Sequence, residues 1–264
     1  MKKWFLMGLF LSLSFLISAC GTSDEGTITV GLECDYAPFN WTSTQEGVDI
    51  SGAPGLCDGY DVVVAKEIAQ ALNKDLEIRK IEWLGLIPAL NSHEIDLIIA
   101  GMSPTEERKE SVLFTDAYFT SEQVIVIRRD SDYVQASRLS DFSGARIIAQ
   151  QGTLQDDLIP QIPQVDHAAP LSDYGALVEQ VQSGVSDGLV AELPVALSIT
   201  ENNENLIMVQ MGEAGFEVDA SQITVSIALR HGEEALRDEI NVVLQRFSDE
   251  QREAWMQQAL DNQP

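Results

Sequence analysis

The residues Trp83-Leu84-Gly85-Leu86-Ile87-Pro88-Ala89-Leu90, followed by Ile95-Asp96-Leu97-Ile98-Ile99-Ala100-Gly101-Met102-Ser103-Pro104-Thr105-Glu106-Glu107-Arg108, decide how this chain is read. Residues 96–100 are a short, mostly apolar run of the kind buried on both faces of a parallel sheet. The run ends on Gly101, where a bare backbone can come close to a ligand. Ser103, Thr105 and the start of a helix carrying Arg108 follow. Strand-end N–H groups, a hydroxyl and a guanidinium fork together suit a carboxylate. Taken alone, Arg108 reads as a solvated helix residue, because Glu106, Glu107, Lys109 and Glu110 surround it.

Outward from this stretch, apolar runs alternate with amphipathic ones. Residues 27–32 read as a strand and 61–72 as a helix with Val64, Ile68 and Leu72 on one face; 76–81 read as a strand and 86–91 as a short helix. With 96–100 the order is β-α-β-α-β. A second block repeats it, with strands at 124–128, 145–150, 188–190 and 206–210 and helices at 175–183 and 194–200. A late strand at 223–229 precedes amphipathic helices at 233–247 and 250–260, the first with Leu236, Ile240, Val243, Leu244 and Phe247 on one stripe. The fold class is therefore α/β. The polar stretch 40–56, with Asp49, Gly52, Pro54 and Gly55, reads as a surface loop.

The chain has 264 residues, 45% of them hydrophobic, which is enough to bury a core. Its 42 acids against 16 Lys plus Arg give a net charge of −26, which repels phosphate backbones and anionic lipid and excludes nucleic acid as a partner. Catalytic motifs fail on context. Gly184-Val185-Ser186-Asp187-Gly188 has the spacing of a nucleophile elbow, but it follows a helix and precedes a strand, the reverse of what that turn needs. It reads as a helix C-cap and a polar turn. His93, His167 and His231 lie far apart without metal-ligand spacing and read as surface residues. No phosphate loop or dinucleotide fingerprint is present, and no cofactor or metal is expected.

The amino terminus reads as an address. Lys2 and Lys3 precede an apolar run, 4–17, that is short for a membrane span and well sized for a signal peptide. Ile17-Ser18-Ala19-Cys20-Gly21 resembles the lipobox at which bacterial lipoprotein precursors are cut. That reading makes 1–19 a signal peptide, Cys20 the lipid-attachment site and 20–26 a linker. The protein is then held at the outer face of the cytoplasmic membrane by lipid alone. The remaining cysteines, Cys34 and Cys57, fit no zinc spacing; they read either as two buried thiols or as a disulfide, which that compartment permits.

Six blocks in order carry a family resemblance: Tyr36-Ala37-Pro38-Phe39; Gly59-Tyr60-Asp61-Val62; the stretch from Trp83 to Arg108; Phe114-Thr115-Asp116-Ala117-Tyr118; Gln151-Gly152-Thr153; and Asp187-Gly188-Leu189-Val190-Ala191-Glu192. On these the mature chain resembles the polar amino-acid solute-binding proteins of ABC importers. It departs at Val63, where the family pattern usually has a second acid. The resemblance implies a two-lobed, type II periplasmic-binding-protein-like clamp, each lobe a mainly parallel sheet flanked by helices, with two hinge crossings. Lobe I would take 27–119 and 221–264, and lobe II 120–220. It implies a monomer that captures an L-amino acid and delivers it to a permease with an ATPase subunit, without catalysis.

The resemblance also assigns residues. Arg108 is similar to the family arginine that pairs with the ligand carboxylate, and Gly152 and Thr153 would add N–H and hydroxyl donors. Gly101, with Met102 and Ser103, would receive the α-ammonium. Glu192 stands where relatives place an aspartate for that ammonium. Tyr36 and Trp83 match positions that sandwich the side chain in binders of basic amino acids, and Glu33 matches the acid that meets the distal cation. Gln150 and Gln155 line the same region. An acid at 33 argues for a basic ligand, arginine first, because a buried cation needs a counter-ion. The competing readings are a dehydratase built on the same clamp and a ligand-sensing receptor domain.

Overall fold

The structure, a computed structural model, describes residues 26–264. The signal peptide 1–19, Cys20 and most of the linker lie outside the described residues. In chain order the first part builds β1 (Thr27–Leu32), β2 (Asp35–Tyr36), β3 (Asn40–Ser43), β4 (Val48–Asp49), β5 (Leu56–Asp58), α1 (Tyr60–Ala71), β6 (Asp75–Lys80), α2 (Leu86–Asn91), β7 (Leu97–Ile98), α3 (Glu106–Lys109) and β8 (Leu113–Thr120). The second part builds β9 (Gln123–Arg128), β10 (Arg146–Ile148), α4 (Leu154–Leu158), β11 (Asp166–His167), α5 (Tyr174–Gln182), β12 (Gly188–Glu192), α6 (Leu193–Glu201) and β13 (Leu206–Val209). The chain then closes with β14 (Thr224–Leu229), α7 (Glu234–Leu244) and α8 (Asp249–Asn262).

Two five-stranded sheets form the two lobes, ordered β6-β1-β7-β14-β8 and β11-β10-β12-β9-β13. The first is discontinuous in sequence, since β14 returns from the far end of the chain to lie between β7 and β8. The two passages between sheets run side by side, and the Ser121 N–H donates to the Ile223 carbonyl at 2.8 Å. Each sheet is mixed and not mainly parallel as expected. In the first, β1 pairs parallel with β6 and β7, while β14 runs antiparallel to β7 and β8. In the second, β10 pairs parallel with β11 and β12, while β9 runs antiparallel to β12 and β13. The reversed strands are those entered from a crossing, which come from the other lobe and not over a helix.

Three segments differ from the sequence reading. The stretch 40–56 is not a plain loop: β3 and β4 lie in it and pair with β5, and β2 completes a small antiparallel sheet ordered β2-β3-β5-β4. Its strands are two to four residues long and their outward side chains are polar, so no periodicity shows. The expected strand at 96–100 keeps ladder pairing only at Leu97–Ile98, although Ile99 and Ala100 stay buried, because the chain leaves the sheet there to form a wall of the cleft. β8 goes unread because polar Thr115 and Asp116 interrupt it, and its pairing with β14 is irregular.

The Cys34 and Cys57 sulfurs are joined, with Cα atoms 5.6 Å apart, tying the end of β1 to β5. The three histidines are exposed, and Gly184 takes a left-handed turn with φ +76° just after α5. Among the described residues no helix is long and apolar enough to cross a membrane.

Candidate functional site

Each lobe turns the carboxyl ends of its parallel strands toward the other, which is where α/β sheets present binding groups. From the first lobe, Glu33 and Tyr36 follow β1, Trp83 follows β6, and Ala100, Gly101 and Ser103 follow β7. Arg108 sits on α3, whose first turn is capped by the Thr105 hydroxyl accepting the Arg108 N–H at 3.3 Å. From the second lobe, Gln150 follows β10, Thr153 caps α4 and Gln155 lies on it, and Glu192 ends β12. With Leu154 these residues surround a narrow cavity of about 10 Å³.

The lobes are closed on one another. Gln150 Nε2 donates to Glu33 Oε1 at 2.9 Å, and Trp83 Nε1 donates to the Gly152 carbonyl at 2.9 Å. Arg108 spans the same gap: its Nη1 donates to the Ser103 carbonyl at 2.8 Å and its Nη2 to the Gly152 carbonyl at 3.1 Å. The guanidinium carbon lies 5.0 Å from the centre of the Trp83 ring, so this tryptophan already carries a cation on one face. Tyr36 stacks on Phe39 with ring centres 5.4 Å apart and meets Tyr174 of the other lobe at 4.9 Å.

The charges are buried and unevenly partnered. Burial pushes the Glu33 carboxyl up to about 8, against the lowering effect of the Gln150 bond. Glu192 is 2% exposed and burial likewise pushes it up to about 8. It occupies the N-cap position of α6 yet caps nothing, so its acidity is not spent on the helix end. Its Oε1 accepts Gln155 Nε2 at 3.3 Å, and its Oε2 is buried without a hydrogen-bond partner among the described residues. Burial lowers Arg108 to about 10, so it remains a cation at neutral pH. One guanidinium and two carboxyls therefore face a single cavity.

Ten of the twelve residues singled out from the sequence line this cavity. Met102 does not. Met102 is buried in the core, and its carbonyl accepts the Ser226 N–H of β14 at 2.9 Å. Gly152 stands at the rim, offering its carbonyl to Trp83 and Arg108, and not on the wall. Thr153 keeps its hydroxyl engaged, donating to the Gln150 carbonyl at 2.7 Å. Ala100 and Leu154 went unread because they carry no polar group. Gln123, which accepts from Gln155 Nε2 at 3.0 Å, gave no signal either, since its partner lies 32 residues away.

A binding clamp, two α/β lobes around a closed polar cavity, is the class that fold and site define. The family model of the bacterial extracellular solute-binding proteins, family 3, matches residues 28–259, and the chain belongs to that family. It is similar to the arginine-binding extracellular protein ArtP of Bacillus subtilis, 31% identical over 260 residues and covering 94% of each chain. It is also similar to the ABC transporter glutamine-binding protein GlnH of the same organism, 24% identical over 278 residues, covering 96% of this chain and 94% of GlnH. Among solved structures, an amino acid ABC transporter substrate-binding protein from Streptococcus pneumoniae bound to L-arginine superposes with a TM-score of 0.77 at 26% identity, covering 89% of this chain and 94% of that one. The two-lobed type II clamp expected from the sequence is thus the fold. The chain is a solute-binding protein and not an enzyme, which removes the dehydratase reading.

Proposed function

We propose that the protein captures a basic L-amino acid, L-arginine first and then lysine or histidine, and hands it to an ABC permease driven by an ATPase subunit. The observation that carries this is the charge the cavity walls can hold: two carboxyls, Glu33 and Glu192, face one guanidinium, Arg108, and once bound cations ionise them they outnumber it by one. A zwitterion with a cationic side chain supplies the missing positive charge and ionises both; glutamine would leave one carboxyl buried without a cation, still holding its proton. In this reading Arg108 takes the ligand carboxylate, Glu192 with Ser103 and Gly101 takes the α-ammonium, and Glu33 with Gln150 takes the distal cation between the Tyr36 and Trp83 rings. The similarity to ArtP and to the L-arginine-bound structure supports the same ligand.

Lobe I would comprise 27–119 and 221–264, and lobe II 120–220, hinged at the paired crossings. Lipid at Cys20 would hold a monomer at the outer membrane face. Calorimetry of the chain lacking residues 1–19 against the twenty amino acids tests the reading. Heat with arginine or lysine is expected; no heat with any of them would overturn it.

A further inference from the structure

Asp61, in the first turn of α1, lies behind the cavity and not on its wall, and its carboxyl is fully buried. Its Oδ1 accepts the Tyr118 hydroxyl at 2.7 Å and its Oδ2 accepts Asn40 Nδ2 at 2.8 Å. The Tyr118 oxygen, its proton committed to Asp61, accepts the Gly101 N–H at 3.0 Å. The Tyr60 hydroxyl donates to the Tyr118 carbonyl at 2.8 Å and holds the same strand from the helix side. Burial raises the Asp61 carboxyl to about 6, opposed by bonds from Tyr118, Asn40 and the Gly101 N–H, and it is therefore mostly ionised at neutral pH. Its charge is also felt by Glu192.

Gly101 is the wall residue that this chain of bonds controls. Its φ is +60°, and a Cβ there would stand 2.8 Å from Tyr36 Cε1, so the backbone fits in one narrow way. With its N–H drawn back onto Tyr118, the main-chain polar group that Gly101 has left to offer the cavity it lines with Ser103 is its carbonyl, an acceptor. A carboxylate behind an acceptor wall favours a cation without touching it, since charges act at a distance in a poorly screened interior.

We propose that Asp61 is a positioning residue for the ammonium end of the cavity: through the Tyr118 hydroxyl it fixes the Gly101 backbone, and its charge joins that of Glu192 in favouring an α-ammonium. This rests on the amino-acid reading above. The test compares L-arginine with its α-hydroxy analogue, in which a hydroxyl replaces the ammonium, on the wild-type chain, Asp61→Asn, Tyr118→Phe and the double variant. Each single change should weaken L-arginine by about 10- to 100-fold, the loss expected for a hydrogen bond to a charged group. The α-hydroxy analogue should lose less than about threefold, and the double variant should be no more than about threefold weaker than the worse single one, because both act through one path. Equal losses for the two ligands, additive losses in the double variant, or unchanged arginine affinity would each overturn the proposal. Tyr118→Phe removes a hydroxyl and keeps the ring, so it carries the test if Asp61→Asn does not fold. A wild-type chain that binds no amino acid would instead overturn the reading beneath it.

Discussion

Glu33 and Gln150 lie 117 residues apart in the chain and meet at 2.9 Å, one from each lobe. Gln150 Nε2 also donates to the Ser172 carbonyl at 2.9 Å, so the amide that meets the carboxylate is anchored to its own lobe. An acid at the end of β1 is thereby held in the closed clamp by a neutral donor and left able to take a cation as well.

Replacing Glu33 by Gln keeps the size and the contact with Gln150 but removes the charge. L-Arginine should lose about 2–5 kcal/mol of binding free energy, as when one partner of a buried charge pair is removed, and glutamine less than about 1 kcal/mol. Calorimetry with both ligands checks this; equal losses would show that Glu33 does not meet a distal cation.

Arg108→Ala should cost a similar 2–5 kcal/mol for every amino acid bound, because each carries the same carboxylate. A loss confined to basic ligands would place Arg108 elsewhere in the mechanism.

The Gly152 backbone has φ +71°, and a Cβ there would stand 2.7 Å from Leu84 Cδ2 of the facing lobe. Gly152→Ala adds about 1–2 kcal/mol of left-handed strain and a methyl that is met only on closure. Arginine affinity should fall about tenfold and the ligand-induced compaction seen by small-angle scattering should shrink. Unchanged compaction would remove Gly152 from the closing surface.

Burial holds Glu33 and Glu192 at about 8. A bound cation favours the ionised carboxylates and lowers both values, so binding releases protons in the window between the lowered values and about 8. Arginine affinity should therefore rise with pH toward that value and flatten above it. At neutral pH the calorimetric enthalpy should depend on the buffer's ionisation enthalpy with the sign of proton release; proton uptake would contradict the assignment.

Much of this arrangement is legible in the sequence, for physical reasons. β1 and α2 coincide with their expected spans because apolar runs flanked by polar residues mark short elements sharply. Arg108, Glu33 and Glu192 are legible through the family resemblance and not by themselves, since Arg108 alone reads as a solvated helix residue among acids. The small sheet around Trp41 is not, since its strands are too short to show a period. Met102, between two wall residues, turns into the core instead, which the sequence does not show. Ala100 and Leu154 shape the cavity with methyl groups alone, and the bonds from Gln150 to Glu33 and from Asp61 through Tyr118 to Gly101 join residues that only the folded chain brings together.

The crystal structure of the chain with L-arginine tests the central claim most directly. The account predicts the ligand carboxylate on Arg108, the α-ammonium near Glu192 and Ser103, and the guanidinium within hydrogen-bond distance of Glu33. A ligand lying the other way round, with its guanidinium toward Glu192 and nothing on Glu33, would contradict it.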